Sequence, residues 1–191
     1  MSVFDRIIKF NQYQKTSEDV LAEQKLVANA KNIVYLLPPK RNFSFGKRSL
    51  YRLNQCHDDI QKVMFEAIQY IDFSVTEGWR SKKIQSEYFV SGTSKVKWPY
   101  SYHNTLKCHI LDQYLDDHEG SPDQPLSLAI DIAPYPIDYE NLERFVKLAS
   151  IVKLCACKVG VTGLDWGYDL WKWDFPHWQL TSYRKPKNEL S

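Results

Sequence analysis

Seven glycines and nine prolines among 191 residues leave little material for flexible low-complexity linkers and none for a collagen-like repeat. Charge of one sign is also lacking. Lys and Arg number 25 against 23 Asp and Glu, a net +2, too balanced to imply a nucleic-acid partner. Apolar stretches such as Ile33–Pro38 and Leu126–Ala133 are too short to span a bilayer, so no stable membrane insertion is expected. The first residues lack a secretory pattern, since Ile7-Ile8 is not an apolar core and Asp5 precedes it. No CxxC pair occurs. The cysteines stand at 56, 108, 155 and 157, and Cys155-Ala-Cys157 has too little between its thiols for the usual metal or redox pair. Free thiols in a reducing cytoplasm are expected.

What is present is ordinary in bulk. The chain is 43% hydrophobic and 25% charged, long enough for one domain with a real core. Its charge is uneven. Arg80–Lys97 carries five basic residues and one Glu, and Asn104–Leu126 carries one Lys and five acids. A solvated helix face accounts for such a bias as well as an anionic polymer partner does.

Periodicity predicts the elements. Ser17–Ala30 reads as a helix and Asn32–Leu37 as a strand, followed by a polar, turn-rich stretch over Lys40–Arg48. In Asp58–Ile71 the apolar residues Ile60, Val63, Met64, Ala67, Ile68 and Ile71 recur every three or four positions, the mark of a helix with one buried face. A strand over Phe73–Thr76 follows. A helix then starts near Ser81, carries Ile84, Tyr88 and Phe89 inward, and ends at Ser91-Gly92. Leu106, Ile110, Leu111 and Leu115 fit a short helix inside the irregular 104–124 stretch. Leu126–Ala133 alternates, with Leu126, Leu128, Ile130 and Ile132 on one face and Asp131 on the other, as in a half-buried strand. Tyr139–Cys157 reads as a helix with Leu142, Phe145, Val146, Ala149 and Val152 inward. Val159–Thr162 reads as a short strand, Gly163–Trp173 as a Trp-rich loop, Phe175–Leu180 as a last strand and Thr181–Ser191 as a polar tail. Without a regular βαβ repeat the expected class is α+β, a small antiparallel sheet packed with helices.

Some residues invite chemistry. Asp174-Phe175-Pro176-His177 sets an acid three positions before an imidazole, although such pairs are more often structural. Asp131 lies in an apolar strand, where a carboxylate needs a metal or a counter-charge, and a buried ion pair satisfies that need equally. With His103, the set of two imidazoles and one carboxylate matches the three-ligand pattern of catalytic zinc. His57, just before a long helix, fits a packing or capping role. The six Trp and twelve Tyr crowd these segments, and core packing or a wall for a bound peptide would each account for Trp166 and Trp171.

Four blocks, in order, carry a resemblance. They are Val75-Thr76-Glu77-Gly78-Trp79-Arg80-Ser81, Ser101-Tyr102-His103-Asn104, Ser127-Leu128-Ala129-Ile130-Asp131-Ile132-Ala133-Pro134-Tyr135-Pro136, and Asp174-Phe175-Pro176-His177-Trp178-Gln179-Leu180, the last preceded by Gly163-Leu164-Asp165-Trp166. From about Phe43 to Leu180 the chain resembles the zinc D,D-/L,D-peptidases of the VanY/VanX and D-alanyl-D-alanine carboxypeptidase group, and within it the phage endolysins that are L-alanyl-D-glutamate peptidases. The resemblance implies that His103, Asp131 and His177 bind Zn²⁺, that Asp174 is the catalytic acid/base and that Arg80 steadies the substrate. It implies a peptidoglycan hydrolase, monomeric, made in a host cytoplasm and acting in the periplasm or at the cell wall.

The same resemblance divides the chain into an N-terminal extension (1–42), a peptidase domain (43–180) and a polar tail (181–191). His103 and Asp131 stand farther apart than in the family, which implies an insertion over 104–126. That insertion carries His109 and His118 as rival ligands and would form a lid or substrate wall. A D-Ala-D-Ala carboxypeptidase or dipeptidase with the same metal site, or a non-catalytic wall-binding or virion structural protein, would share these blocks.

Overall fold

His57 follows a short turn, and its Nδ1 accepts a hydrogen bond from the Asp59 amide, capping the first long helix as expected. The computed structural model describes residues 37–104 and 127–182. In chain order these form α1 (Lys47–Leu53), α2 (Asp58–Ala67), β1 (Phe73–Glu77), α3 (Lys82–Val90), β2 (Ala129–Pro134), α4 (Leu142–Val159), β3 (Leu164–Trp166), α5 (Gly167–Trp171) and β4 (His177–Leu180). The strands make one antiparallel sheet in the order β1-β2-β4-β3, so the α+β expectation holds.

Strand register sorts the side chains. Ile130 pairs with Trp178 and Trp178 with Trp166, while Asp131 pairs with His177 and Gln179 with both Ala129 and Asp165. Directly paired residues share a face and successive residues alternate, so the sheet has one apolar face and one polar face. The apolar face, with Val75, Ile130, Ile132, Trp178 and Leu180, joins Ile60, Val63 and Met64 of α2 and Phe145, Leu148 and Val152 of α4 in one core. Burying such side chains contributes about 1.5–3 kcal/mol each, so this face anchors the sheet and leaves the other available for chemistry.

Several elements differ from the sequence reading. Helix α1 arises where only a turn-rich stretch was predicted to its N-terminal side; Leu53 fills the core and Ser49 Oγ accepts from the Val75 amide. Helix α3 does begin after Ser81, whose Oγ accepts from the Ile84 amide, but Ile84 is exposed and Gln85 is the buried residue. Gln85 Nε2 donates to Ser94 Oγ and Val96 O, so α3 buries an amide that ties down its following loop. Helix α4 begins three residues later than predicted and leaves Leu142 and Val146 exposed. Its last turn takes in Val159 and ends on Gly160 at φ 73°, which removes the strand predicted at Val159–Thr162. The chain reaches the sheet at Leu164 instead, and the supposed loop holds β3 and α5. The readings over 17–30, 32–36 and 105–126, His109 and His118 included, fall outside the described residues, as does the tail from 183.

Cys56, Cys155 and Cys157 are free thiols. Burial pushes the Cys155 thiol up to about 12 and Cys56 higher still, so both behave as small core residues.

Gly78 matters for a steric reason. A Cβ there would collide with the Arg52 carbonyl and crowd Cys56 Sγ. Gly78→Ala is expected to destabilise the fold by about 1–3 kcal/mol, the usual cost of overpacking. A urea midpoint unchanged from wild type would contradict this.

Candidate metal centre

The polar face of the sheet supplies two of the predicted ligands. β2 and β4 place Asp131 and His177 directly opposite each other. The third comes from a stitched turn. Asn104 N donates to Ser101 O, Asn104 Oδ1 accepts from Ser101 N, and Asn104 Nδ2 donates to Arg80 O. Arg80 N in turn donates to His103 O, and Leu128 N to Tyr102 O. These bonds fasten residues 101–104 between the β1–α3 connection and β2, and they bury His103.

Three atoms converge. His177 Nδ1 lies 3.0 Å from Asp131 Oδ1, His103 Nε2 lies 3.3 Å from the same oxygen, and the two nitrogens are 3.2 Å apart. The far side of each ring has its own partner: His103 Nδ1 is 2.6 Å from Gly78 O, and His177 Nε2 is 3.1 Å from Gln179 Oε1. Both partners are acceptors, so the hydrogen-bond network assigns an N–H to each outer nitrogen and turns a lone pair inward on each inner one. Two lone pairs and a carboxylate oxygen then face one another in a buried site, an arrangement that calls for a cation. Tetrahedral ligands about 2.0–2.1 Å from a shared ion stand about 3.3 Å apart, the spacing seen here. The residues therefore fit a metal ion, and the outward bonds are of the kind that orient metal-bound histidines.

The electrostatics agree. Burial works against the Asp131 charge, yet the His103 and His177 imidazoles prevail and hold its carboxyl well below the usual range. Burial opposes a charge on His177 too, but its hydrogen bond to Asp131 raises its pKa, a proton meeting the same demand as a metal. Asp174 is half-buried, and burial pushes its carboxyl upward, with Asp131 adding to the rise while His177, His103 and Arg80 pull the other way.

Of the five site residues named from sequence, His103, Asp131 and His177 meet at one point, and Asp174 lies near enough to be influenced by them electrostatically. Arg80 reaches Asp131 by Nη2, 3.1 Å from Oδ2. Three residues that sequence reasoning passed over support them. Gly78 and Gln179 receive the outer imidazole hydrogens, and Glu77 takes both Nε and Nη2 of Arg80 on Oε2. Gln179 had a readable signal, a polar residue two positions after His177 in a strand, hence on the same face. Trp166 is a core residue, as one expectation held, and Trp178 is buried beside it, whereas Trp171 is 44% exposed and its ring lies 5.5 Å from that of His177.

Fold and site together define a class, a small α+β domain with a three-ligand site able to hold a metal ion beside a half-buried acid. The profile of the phage L-alanyl-D-glutamate peptidase family matches residues 41–179, and the chain belongs to that family. Its members are peptidases, which places it among the peptidoglycan hydrolases. The crystal structure of Serratia marcescens L-Ala D-Glu endopeptidase ChiX is similar, at 27% identity and a TM-score of 0.54, over 72% of this chain and 89% of that one. No curated protein matches the chain in sequence. Among the described residues no helix is long and apolar enough to cross a membrane.

Proposed function

We propose that the chain is a zinc-dependent peptidase that cleaves the L-Ala–D-Glu bond of peptidoglycan stem peptides, as a phage-type endolysin made in the host cytoplasm and acting on the wall. The supporting observation is the convergence of His103 Nε2, Asp131 Oδ1 and His177 Nδ1 within 3.3 Å of one another. Zinc, when bound, supplies Lewis acidity and a hydrolytic water reactive near neutral pH.

The remaining work falls to the chain. His103, Asp131 and His177 hold the ion, with Gly78 O and Gln179 Oε1 fixing the rings. Asp174 takes a proton from the attacking water and returns it to the departing D-Glu amine. Burial favours its protonated form, which helps it hold that proton between the two steps. Arg80 engages the protein through Nε and Nη2, and among the described residues no hydrogen bond engages Nη1. That edge of the guanidinium would offset charge developing on the scissile carbonyl, an effect worth about 3 kcal/mol per donor in comparable sites.

Digestion of purified peptidoglycan followed by mass spectrometry tests this. New amino-terminal D-Glu is expected, abolished by a chelator and restored by Zn²⁺. Release of terminal D-Ala instead would assign a carboxypeptidase, and retention on the wall without product would assign a binding protein; either sinks the proposal.

A further inference from the structure

Glu77 has no assigned role, yet β1 distorts to present it. The β1–β2 pairing runs Phe73↔Pro134, Ser74↔Ala133, Val75↔Ile132 and then Glu77↔Asp131, with Thr76 as the extra residue of a bulge. Unbroken pairing would set Thr76 opposite Asp131 and Glu77 opposite Ile130, on the apolar face. One inserted residue moves Glu77 to the polar face, beside a carboxylate. Thr76 seals the bulge by donating its hydroxyl to Asp131 O at 3.0 Å.

Two carboxylates in direct cross-strand opposition repel. Arg80 lies between them. Its Nε is 2.7 Å from Glu77 Oε2, and its Nη2 is 2.5 Å from Glu77 Oε2 and 3.1 Å from Asp131 Oδ2. From α3, Tyr88 directs its hydroxyl at Glu77 Oε1 (3.3 Å) and lays its ring 5.1 Å from the guanidinium carbon. The Glu77, Arg80 and Asp131 side chains are only 22%, 12% and 17% exposed, so solvent screens these charges poorly.

We propose that Glu77 is a positioning residue for the metal centre: it clamps Arg80 against Asp131 Oδ2, so that Asp131 offers the ion Oδ1 alone, and its charge offsets that of Arg80 beside the cation site. This rests on the reading of His103, Asp131 and His177 as zinc ligands. An ordinary i,i+3 surface pair would make Glu77 worth only a few tenths in stability and nothing in metal binding. The clamp makes a different demand. Losing the Glu77 charge loosens Arg80 from its place against Asp131 Oδ2, and removing Arg80 breaks the same clamp from its other side.

The test measures Zn²⁺ affinity by competition with a chromophoric chelator, without substrate, in wild type, Glu77→Gln, Arg80→Gln and the double variant. Glu77→Gln is nearly isosteric and is expected to keep the wild-type thermal midpoint within a few degrees. Its zinc affinity should fall about 10–100-fold, as for other outer partners of metal ligands. The double variant should lose little more than either single variant, because both changes break the same clamp, and hydrolysis should stay low since Arg80 is gone from the substrate side. Wild-type zinc affinity in Glu77→Gln, or additive losses in the double variant, would overturn the clamp alone. A wild-type chain that takes up no zinc would overturn the metal centre and the clamp with it.

Discussion

His177→Ala is expected to lose stoichiometric zinc and, with it, all measurable peptide hydrolysis. The imidazole contributes one of three inward-facing atoms, and its Nδ1 is the closer of the two nitrogens to Asp131 Oδ1. Without it, His103 and Asp131 make a two-ligand site, short of the three protein ligands that catalytic zinc requires. Outer partners of metal ligands already cost 10–100-fold in affinity when removed, so a direct ligand should cost more than about a hundredfold. Some stability goes too. His177 is buried and bonded to both Asp131 and Gln179, and taking this partner from the buried Gln179 Oε1 costs about 1–3 kcal/mol, while Asp131 keeps Arg80 and His103.

A control separates the two effects. His57→Ala removes the cap of α2, at a cost of about 0.5–2 kcal/mol, from a residue outside the metal cluster. That variant should melt earlier yet keep its zinc and its activity. Elemental analysis of the dialysed proteins decides the matter: one zinc per chain in His177→Ala would remove His177 from the ligand set.

Legibility from sequence followed the range of the interaction. Helices α2 and α4 could be read because their buried stripes repeat within a turn or two, and His57 because a cap is local. Alternation in β2 correctly set Asp131 opposite Ile130 and Ile132. The meeting of His103, Asp131 and His177 was reached through the resemblance of four blocks, since no local pattern tells a turn at 101–104 where two strands will lie. Glu77 escaped because its orientation depends on a bulge in strand pairing, a tertiary event; the only trace was an acid ending an alternating strand with Arg80 three positions on. The displaced β3 is the opposite case. Gly160 was a visible stop signal, but apolar Val159 and Val161 on either side suggested a strand where the helix was closing.

Asp174→Asn is expected to lower kcat about 10²–10⁴-fold, the range for a lost general acid/base, with KM little changed and zinc still bound. The carboxyl is not part of the three-atom cluster, yet it feels the charges of His177, Asp131, His103 and Arg80. Its segment is held firmly. A Cβ on Gly167 would come within 2.6 Å of Asp174 O and 3.0 Å of His177 Cβ, and Trp166 Nε1 donates to Phe175 O at 2.7 Å. Asparagine preserves this packing and removes only the capacity to carry a proton. The pH profile gives a second readout. A general base must be deprotonated to act, so Asp174 contributes an acid limb to kcat/KM. In Asp174→Asn the limb should vanish from the residual activity. A kcat within tenfold of wild type would deny Asp174 the proton-transfer role, and loss of zinc in this variant would make it a ligand instead.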